Sequence, residues 1–352
     1  MSHKRQQKEF AMRVIAGKYR GRRLLSPEGN DVRPTTDKIK EALYNVLQSE
    51  IEGAVVIDLF CGSGGLGIEA LSRGAKKVYF CDVDHRSVSL TKTNLSFVPS
   101  SDYELIKGDY ADCLRRLACR GVKADIILCD PPYKLKKGGE ILTEIVRTGI
   151  LTEGGTVTVE RATDDGPVEE GELFPTDTKR YSNTSIDIFK RYEKVAVTGT
   201  FDPFTLGHKY LVEQGLERFD AVYVVLLKNP DKEETFSLEA RKKIAELSLK
   251  EYKRRVKVDF YDGLTVDYCK KHGIRYIIRG VRDEKDEAYE REMADWNKSH
   301  GDVETILVPA ADPTVSSTAV RRRLDGEESA PALYDLMTPE AVEYVNKLRK
   351  IR

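Results

Sequence analysis

Short apolar runs that end in glycine, an acid or proline recur along the whole chain, and amphipathic stretches separate them. Val55-Val56-Ile57, Val78-Tyr79-Phe80-Cys81, Leu105-Ile106 and Ile126-Ile127-Leu128-Cys129 read as buried strands. Between them, Ile68-Glu69-Ala70-Leu71 and a segment carrying Val88, Thr91 and Leu95 read as helices. Ahead of this series, Arg13 to Leu24 predicts a small hairpin with Gly17 and Gly21 in its turn region. A helix with Ile39, Leu43, Val46 and Leu47 on one face follows, and Thr35 or Thr36 suits its N-cap. A second series opens at Val195-Ala196-Val197. A helix over 207–219 leads to strand 221–227, and Ser237 caps the next helix. Residues 256–260 alternate, Tyr276-Ile277-Ile278 is a strand ending in Arg279-Gly280-Val281-Arg282, and a charged helix covers about 284–298. Thr305 to Val308 then leads into a helix reaching Arg321, and a last helix covers 339–349. Strands alternating with helices twice over predict an α/β chain. The expected architecture is two doubly wound Rossmann-like domains in tandem, the first with a hairpin and helix extension at its start.

Composition changes this picture little. A length of 352 residues suits two domains, and 40% hydrophobic residues suffice for ordinary cores. Ile188 and Phe189 end one alternating strand and Val195 opens the next, with Arg191-Tyr192-Glu193 as a short polar joint. No Gly/Ser-rich or Pro-rich tether intervenes, so the domains expected are 1–191 and 194–352. One third of the residues are charged, no apolar run nears a membrane span, and MSHKRQQKEF carries no apolar leader core. Six cysteines without a C-x-x-C spacing fit reduced thiols in a cytoplasmic protein, with no membrane partner. The zero net charge hides an asymmetry. Residues 1–40 hold eleven Lys/Arg against four Asp/Glu, an excess that suits a polyanion. For the first ten residues alone, a solvated tail explains the charge equally well.

The first Gly-rich turn, D-L-F-C-G-S-G-G-L-G from Asp58 to Gly67, is by itself a weak nucleotide-binding signal. Its context narrows it. Asp82 ends the next strand, Gly108-Asp109 follows the third, and Asp130-Pro131-Pro132-Tyr133 ends the fourth. This set resembles the class I S-adenosylmethionine-dependent methyltransferases. The resemblance implies that Gly62, Gly64 and Gly67 close on the methionine end of that cofactor. Asp58 would meet its ammonium indirectly, Asp82 its ribose and Asp109 its adenine. Methylating an exocyclic amine requires that its lone pair leave the ring plane. Carboxylate Asp130 and the Pro131 carbonyl can accept the amine protons and steer it, while Tyr133 can stack on the base. The blocks GKYRGRRL, RPTTDKIKEALYNVL, DLFCGSGGLGIEALSRGA and DPPY together resemble the 16S rRNA guanine-N2 methyltransferase family over about 12–191. That family implies 16S rRNA or the small ribosomal subunit as partner, with Arg20, Arg22, Arg23 and Arg33 on phosphates. A DNA amino-methyltransferase and an idle RNA-binding module are the rival readings.

In the second half, T-G-T-F-D-P-F-T-L-G-H, then R-G-V-R, then V-S-S-T-A-V-R resemble the nucleotidyltransferases with a T/H-x-G-H motif. In that chemistry a phosphate attacks the α-phosphorus of ATP and pyrophosphate leaves, so positive donors carry the catalysis. His208, Lys232 and Arg282 are of the right type, and Ser316, Ser317 and Thr318 place hydroxyls and N–H groups at a helix start. Residues 194–352 resemble phosphopantetheine adenylyltransferase. This implies ATP with Mg2+ as cofactors, no metal ligands from the protein, 4′-phosphopantetheine as substrate, and a homo-oligomer, a hexamer in that family. It further implies that Thr200, Lys232, Thr265, Arg279 and Asn297 face phosphopantetheine. Thr200, Phe201, His208, Gly280, Val281, Arg282, Glu290 and the stretch Asp312 to Thr318 would face ATP. The chain departs from the family at Thr198, where proline is usual, at Glu233-Glu234 after Lys232, and at Asp312-Pro313. Another nucleotidyltransferase, acting for example on nicotinate mononucleotide, is the rival here.

Overall fold

A computed structural model describes residues 12–26, 37–132, 135–228, 234–326 and 333–351. Arg33, the Thr35/Thr36 cap, Tyr133 and Lys232 lie outside the described residues. The chain divides into two compact units, Met1–Arg191 and Tyr192–Arg352.

In the first unit, β1 (Met12–Arg13) pairs antiparallel with β2 (Arg23–Leu24), and α1 (Asp37–Val46) follows. The alternating series is then β3 (Val55–Asp58), α2 (Gly65–Ser72), β4 (Lys77–Asp82), α3 (His85–Asn94), β5 (Tyr103–Lys107), α4 (Tyr110–Cys119), β6 (Ala124–Cys129) and α5 (Gly138–Thr148). β7 (Leu151–Ala162), β8 (Phe174–Tyr181) and β9 (Thr184–Lys190) complete the sheet, in the order β5-β4-β3-β6-β7-β9-β8. β3 to β7 are parallel, and β9 runs antiparallel to β7 and β8. The doubly wound expectation holds, and the antiparallel edge is added to it. The order reverses at β3, so the ends of β3, β4 and β6 converge on one crevice.

A buried carboxylate ties the basic hairpin to this sheet layer. Glu69 of α2 is fully enclosed, and its two oxygens accept from Ile15 N and Ala16 N at 2.8 and 3.0 Å. Arg73 Nε reaches it at 2.8 Å and Lys40 Nζ at 3.4 Å. Lys40 also donates to the Arg13 carbonyl, and burial holds its pKa below the usual lysine range. Gly17, at φ 80°, lets the turn lie directly on the end of α2, where an added Cβ would overlap the Ser72 carbonyl.

The second unit contains β10 (Lys194–Gly199), α6 (Leu206–Arg218), β11 (Ala221–Leu227), α7 (Leu238–Ser248), β12 (Val256–Tyr261), α8 (Thr265–Lys271), β13 (Tyr276–Val281), α9 (Glu284–Gly301), β14 (Glu304–Pro309), α10 (Ser317–Asp325) and α11 (Pro339–Ile351). The sheet is wholly parallel in the order β12-β11-β10-β13-β14. Its switch point lies at β10. Arg279, Gly280 and Val281 belong to strand β13 itself, paired with Leu307, Val308 and Pro309 of β14, and do not form a loop beyond it. Among the described residues no helix is long and apolar enough to cross a membrane.

Gly67 shows how closely α2 lies on the first sheet. A Cβ there would sit 2.3 Å from Phe80 Cε1 and 2.9 Å from Val78 Cγ1. Alanine gains roughly 1 kcal/mol over glycine in a helix interior, whereas overpacking costs typically about 1–3 kcal/mol. Gly67→Ala should therefore lower the unfolding temperature of the first unit in calorimetry, and adding Phe80→Leu should recover part of the loss. An unchanged temperature would contradict this contact.

Candidate active sites

The first site is built from strand ends. Asp58 closes β3 with its side chain buried, and its Oδ2 accepts from Gly67 N at 2.9 Å. Burial raises its pKa to about 7; the Gly67 N–H opposes the rise, and the carboxylates of Asp130 and Asp82 add to it. With its side chain sealed in, Asp58 holds the backbone at the start of α2. Asp82 at the end of β4 is half-buried, with Oδ2 accepting from Gly62 N at 2.9 Å and Oδ1 from Asp84 N at 2.8 Å. Each oxygen keeps a second lone pair for a hydroxyl. Gly62, at φ 55°, has open space where a side chain would stand. Gly64, at φ 81°, precedes α2 and lies against Thr91. The three glycines thus differ in role. Gly62 borders open space, while Gly64 and Gly67 serve the packing of the loop and helix. Asp109 is exposed and caps α4 through Ala111 N at 3.0 Å.

Asp130 and Pro131 follow β6, half-buried and buried, and Pro131 borders a cavity of about 730 Å³ that reaches β7 and the start of α5. On the hairpin, Arg20, Arg22 and Arg23 are all exposed. The Arg22 guanidinium lies 5.1 Å from the centre of the Phe97 ring.

The second site is a cavity of about 690 Å³ at the end of β10 and β13. Thr205 and His208 form a capping box at the start of α6. The Thr205 N–H donates to His208 Nδ1 at 3.0 Å. Since Nδ1 accepts, the neutral ring carries its proton on Nε2, and that N–H is the donor His208 has left for the cavity it lines. Burial, with the Arg282 and Arg279 cations adding to it, lowers the ring's pKa to about 3. Phe201 packs edge-on against the ring at 4.9 Å and adopts φ 46°, a left-handed backbone uncommon for an aromatic residue. Across the cavity, Ser316 caps α10 through Ala319 N at 3.1 Å, and Ser317 Oγ donates to the Pro203 carbonyl at 2.8 Å. Ser316, Ser317 and Thr318 line the cavity, so the unpaired N–H groups of the first turn of α10 lie beside it.

The cations here have defined tasks. Arg279 binds Glu290 with two bonds of 2.8 and 2.6 Å and also donates to the Thr198 carbonyl. These two residues, assigned from the resemblance to different ligands, hold each other. Arg282 is exposed and lines the same cavity, as do Thr200 and Gly280, while Val281 is buried in β13. Thr265 and Asn297 do not line it: Thr265 starts α8, and buried Asn297 faces Thr305 of β14. Gly207 admits a protein neighbour, since an added Cβ would meet the Val315 carbonyl at 3.1 Å.

Two cavity arginines escaped the sequence reading. Arg241, 2% exposed, donates to the Thr200 carbonyl at 3.0 Å and to Glu234 at 2.6 Å. Arg321 donates to the Asp202 carbonyl at 2.5 Å. Arg241 had a signal in its position three and four residues before buried Ile244 and Ala245, on the inward face of α7.

Residues 12–190 match the family described as conserved hypothetical protein 95, and residues 196–323 match the family described as cytidylyltransferase-like. The first half is similar to YlbH of Bacillus subtilis, provisionally named an rRNA methyltransferase: 37% identical over 182 residues, covering 51% of this chain and 99% of YlbH. The second half is similar to the phosphopantetheine adenylyltransferase of Thermotoga neapolitana, 42% identical over 126 residues, covering 35% of this chain and 78% of that protein. The protein of the same name from Flavobacterium johnsoniae is 35% identical over 153 residues, covering 42% of this chain and 96% of that one.

Histidine ring NMR checks the tautomer. His208 should stay neutral, with its proton on Nε2, from pH 8 to about 4.5, because its folded pKa is about 3. The unfolded chain takes up this proton near pH 6.5. Stability that is present above that pH is therefore lost as the pH falls toward 3. A ring that titrates near 6.5 would contradict the geometry.

Proposed function

We propose, for a chain that belongs to the conserved hypothetical protein 95 family over residues 12–190 and to the phosphopantetheine adenylyltransferases in its second half, a bifunctional enzyme. Its domains are 1–191, which methylates N2 of a guanine in 16S rRNA with S-adenosylmethionine, and 194–352, which transfers adenylyl from ATP to 4′-phosphopantetheine. The second reaction gives dephospho-coenzyme A and pyrophosphate.

For the first half, the carrying observation is the convergence of Asp58, Asp82 and Asp130 at the ends of three adjacent parallel strands, beside the space left open at Gly62. The residues fit a nucleoside-bearing sulfonium. Asp82 offers lone pairs to ribose hydroxyls, Asp109 stands at the next strand end, and the cofactor supplies an activated methyl group. The Asp130 carboxylate and the Pro131 carbonyl accept the amine protons of the base and turn the nitrogen lone pair out of the ring. Tyr133 then stacks on that base, and the exposed arginines of the hairpin, with Arg33, hold RNA phosphates.

For the second half, the carrying observation is the fixed Nε2–H donor of His208 in a cavity that the N-terminus of α10 also borders. A neutral donor stabilises charge that builds on phosphoryl oxygens without a proton transfer of its own. Arg282 and Lys232 add cationic donors, and the α10 terminus receives the leaving pyrophosphate. Thr200 and Arg279 face the attacking phosphate. ATP brings Mg2+ with its phosphates. A cytoplasmic location and a homo-oligomer, a hexamer through the second half, go with this reading.

Labelled S-adenosylmethionine offered with unmethylated 16S rRNA, small subunits and duplex DNA tests the first half. Label should appear as N2-methylguanosine in RNA, and Asp130→Ala should lower the rate about 100-fold or more. Label in DNA alone would overturn the assignment. Pyrophosphate release should require 4′-phosphopantetheine, with nicotinate mononucleotide inert. His208→Ala should lower kcat about 10²- to 10³-fold, the usual loss for one transition-state donor.

A further inference from the structure

We infer that Glu160 reads the N1–H of the target guanine and so selects the base that the first half methylates. The inference rests on the proposed methylation of an RNA guanine.

The cavity of about 730 Å³ beside Pro131 is large enough for a nucleoside. Cys129 of β6 pairs in parallel register with Val159 of β7. The next residue along each strand is Asp130 on one and Glu160 on the other. Glu160 is 9% exposed and lines the cavity together with Pro131, Pro132 and Tyr110. The cavity therefore carries, one strand over from the residue that steers the amine, a second and nearly buried carboxylate that the proposed mechanism does not use.

The rest of the lining is mixed in charge, with Glu140, Glu144, Asp165 and Glu169 beside Lys136 and Lys137. Helix α5 begins at Gly138 with Lys137 before it, and no side chain caps its first turn. Gly138 and Gly139 both line the cavity, and they let Val168 and Glu169 pack closely against this turn. Lys136 and Lys137 are paired with Asp165 at 2.8 Å and Glu140 at 3.1 Å.

This order of donors and acceptors matches one base. The pairing edge of guanine presents an acceptor at O6, a donor at N1 and donors at N2. The α5 terminus suits O6, Glu160 suits N1–H, and Asp130 with the Pro131 carbonyl suits the N2 amine. Adenine presents a donor where guanine has O6 and a lone pair at N1, which would face the Glu160 carboxylate. An unmatched buried polar pair of this kind is the strongest source of discrimination between bases of similar shape.

The test uses the full chain and RNA in which the methylated guanine, mapped from the wild-type product, is replaced by 2-aminopurine. That base keeps the 2-amino group and has a bare N1. Wild-type protein should show kcat/KM about 10- to 100-fold lower on the 2-aminopurine RNA. Glu160→Gln, whose amide can donate to N1, should lose activity on guanine and shrink the guanine preference at least tenfold, with S-adenosylmethionine binding unchanged by calorimetry. A wild-type preference retained in Glu160→Gln overturns the inference. So does equal wild-type activity on the two RNAs, a result that needs no variant to fold. Failure of the wild-type protein to methylate any guanine RNA overturns the underlying function as well and is distinct from both.

Discussion

Each half of the chain depends on how one turn is closed, the turn from its central strand into the following helix. A helix start leaves backbone N–H groups without partners, and a parallel sheet places that start where ligands enter. In the first half, the buried Asp58 carboxylate takes the Gly67 N–H. In the second, a ring nitrogen of His208 takes the Thr205 N–H. In both cases the group that completes the local backbone is also a group that the proposed function uses. Local folding and the state of the site are set by the same contact.

The electrostatics of the halves run in opposite directions. Carboxylates crowd the ends of β3, β4 and β6, and burial raises Asp58 to about 7. That suits a cationic cofactor. Around the second cavity stand Arg241, Arg279, Arg282 and Arg321, and His208 is driven neutral among them. That suits a polyphosphate. Arginines paired internally, such as Arg279 with Glu290, keep the cavity walls in place, while exposed Arg282 remains for ligand charge.

Strand cores and Gly-rich turns were legible because the parallel sheets are apolar in continuous runs and punctuated at the site. At the edge of the first sheet only the alternating strand ending at Ile188 and Phe189 was legible, since β7 buries Thr156, Thr158, Glu160 and Arg161 among its valines and so lacks a clean period. Arg161 is held by Asp187 from β9, 26 positions away, a partner no local pattern announces. The site residues divide in the same manner. His208 and the start of α10 could be read from motifs because capping is local. The mutual grip of Arg279 and Glu290, and the turn of Asn297 toward β14, depend on how a helix lies on a strand. Arg241 received no role from the sequence because a nearly fully buried arginine is rare.

The carboxylate of Glu69 has a genetic consequence. The basic hairpin is fastened to the interior of α2 by Glu69, Lys40 and Arg73, none of which the proposed RNA contacts include. Removing Glu69 leaves Lys40 and Arg73 without their shared carboxylate, a loss of about 3–5 kcal/mol. A selection for defective RNA modification would therefore return substitutions far from any nucleotide. Its map would trace the root of the hairpin more densely than its tip.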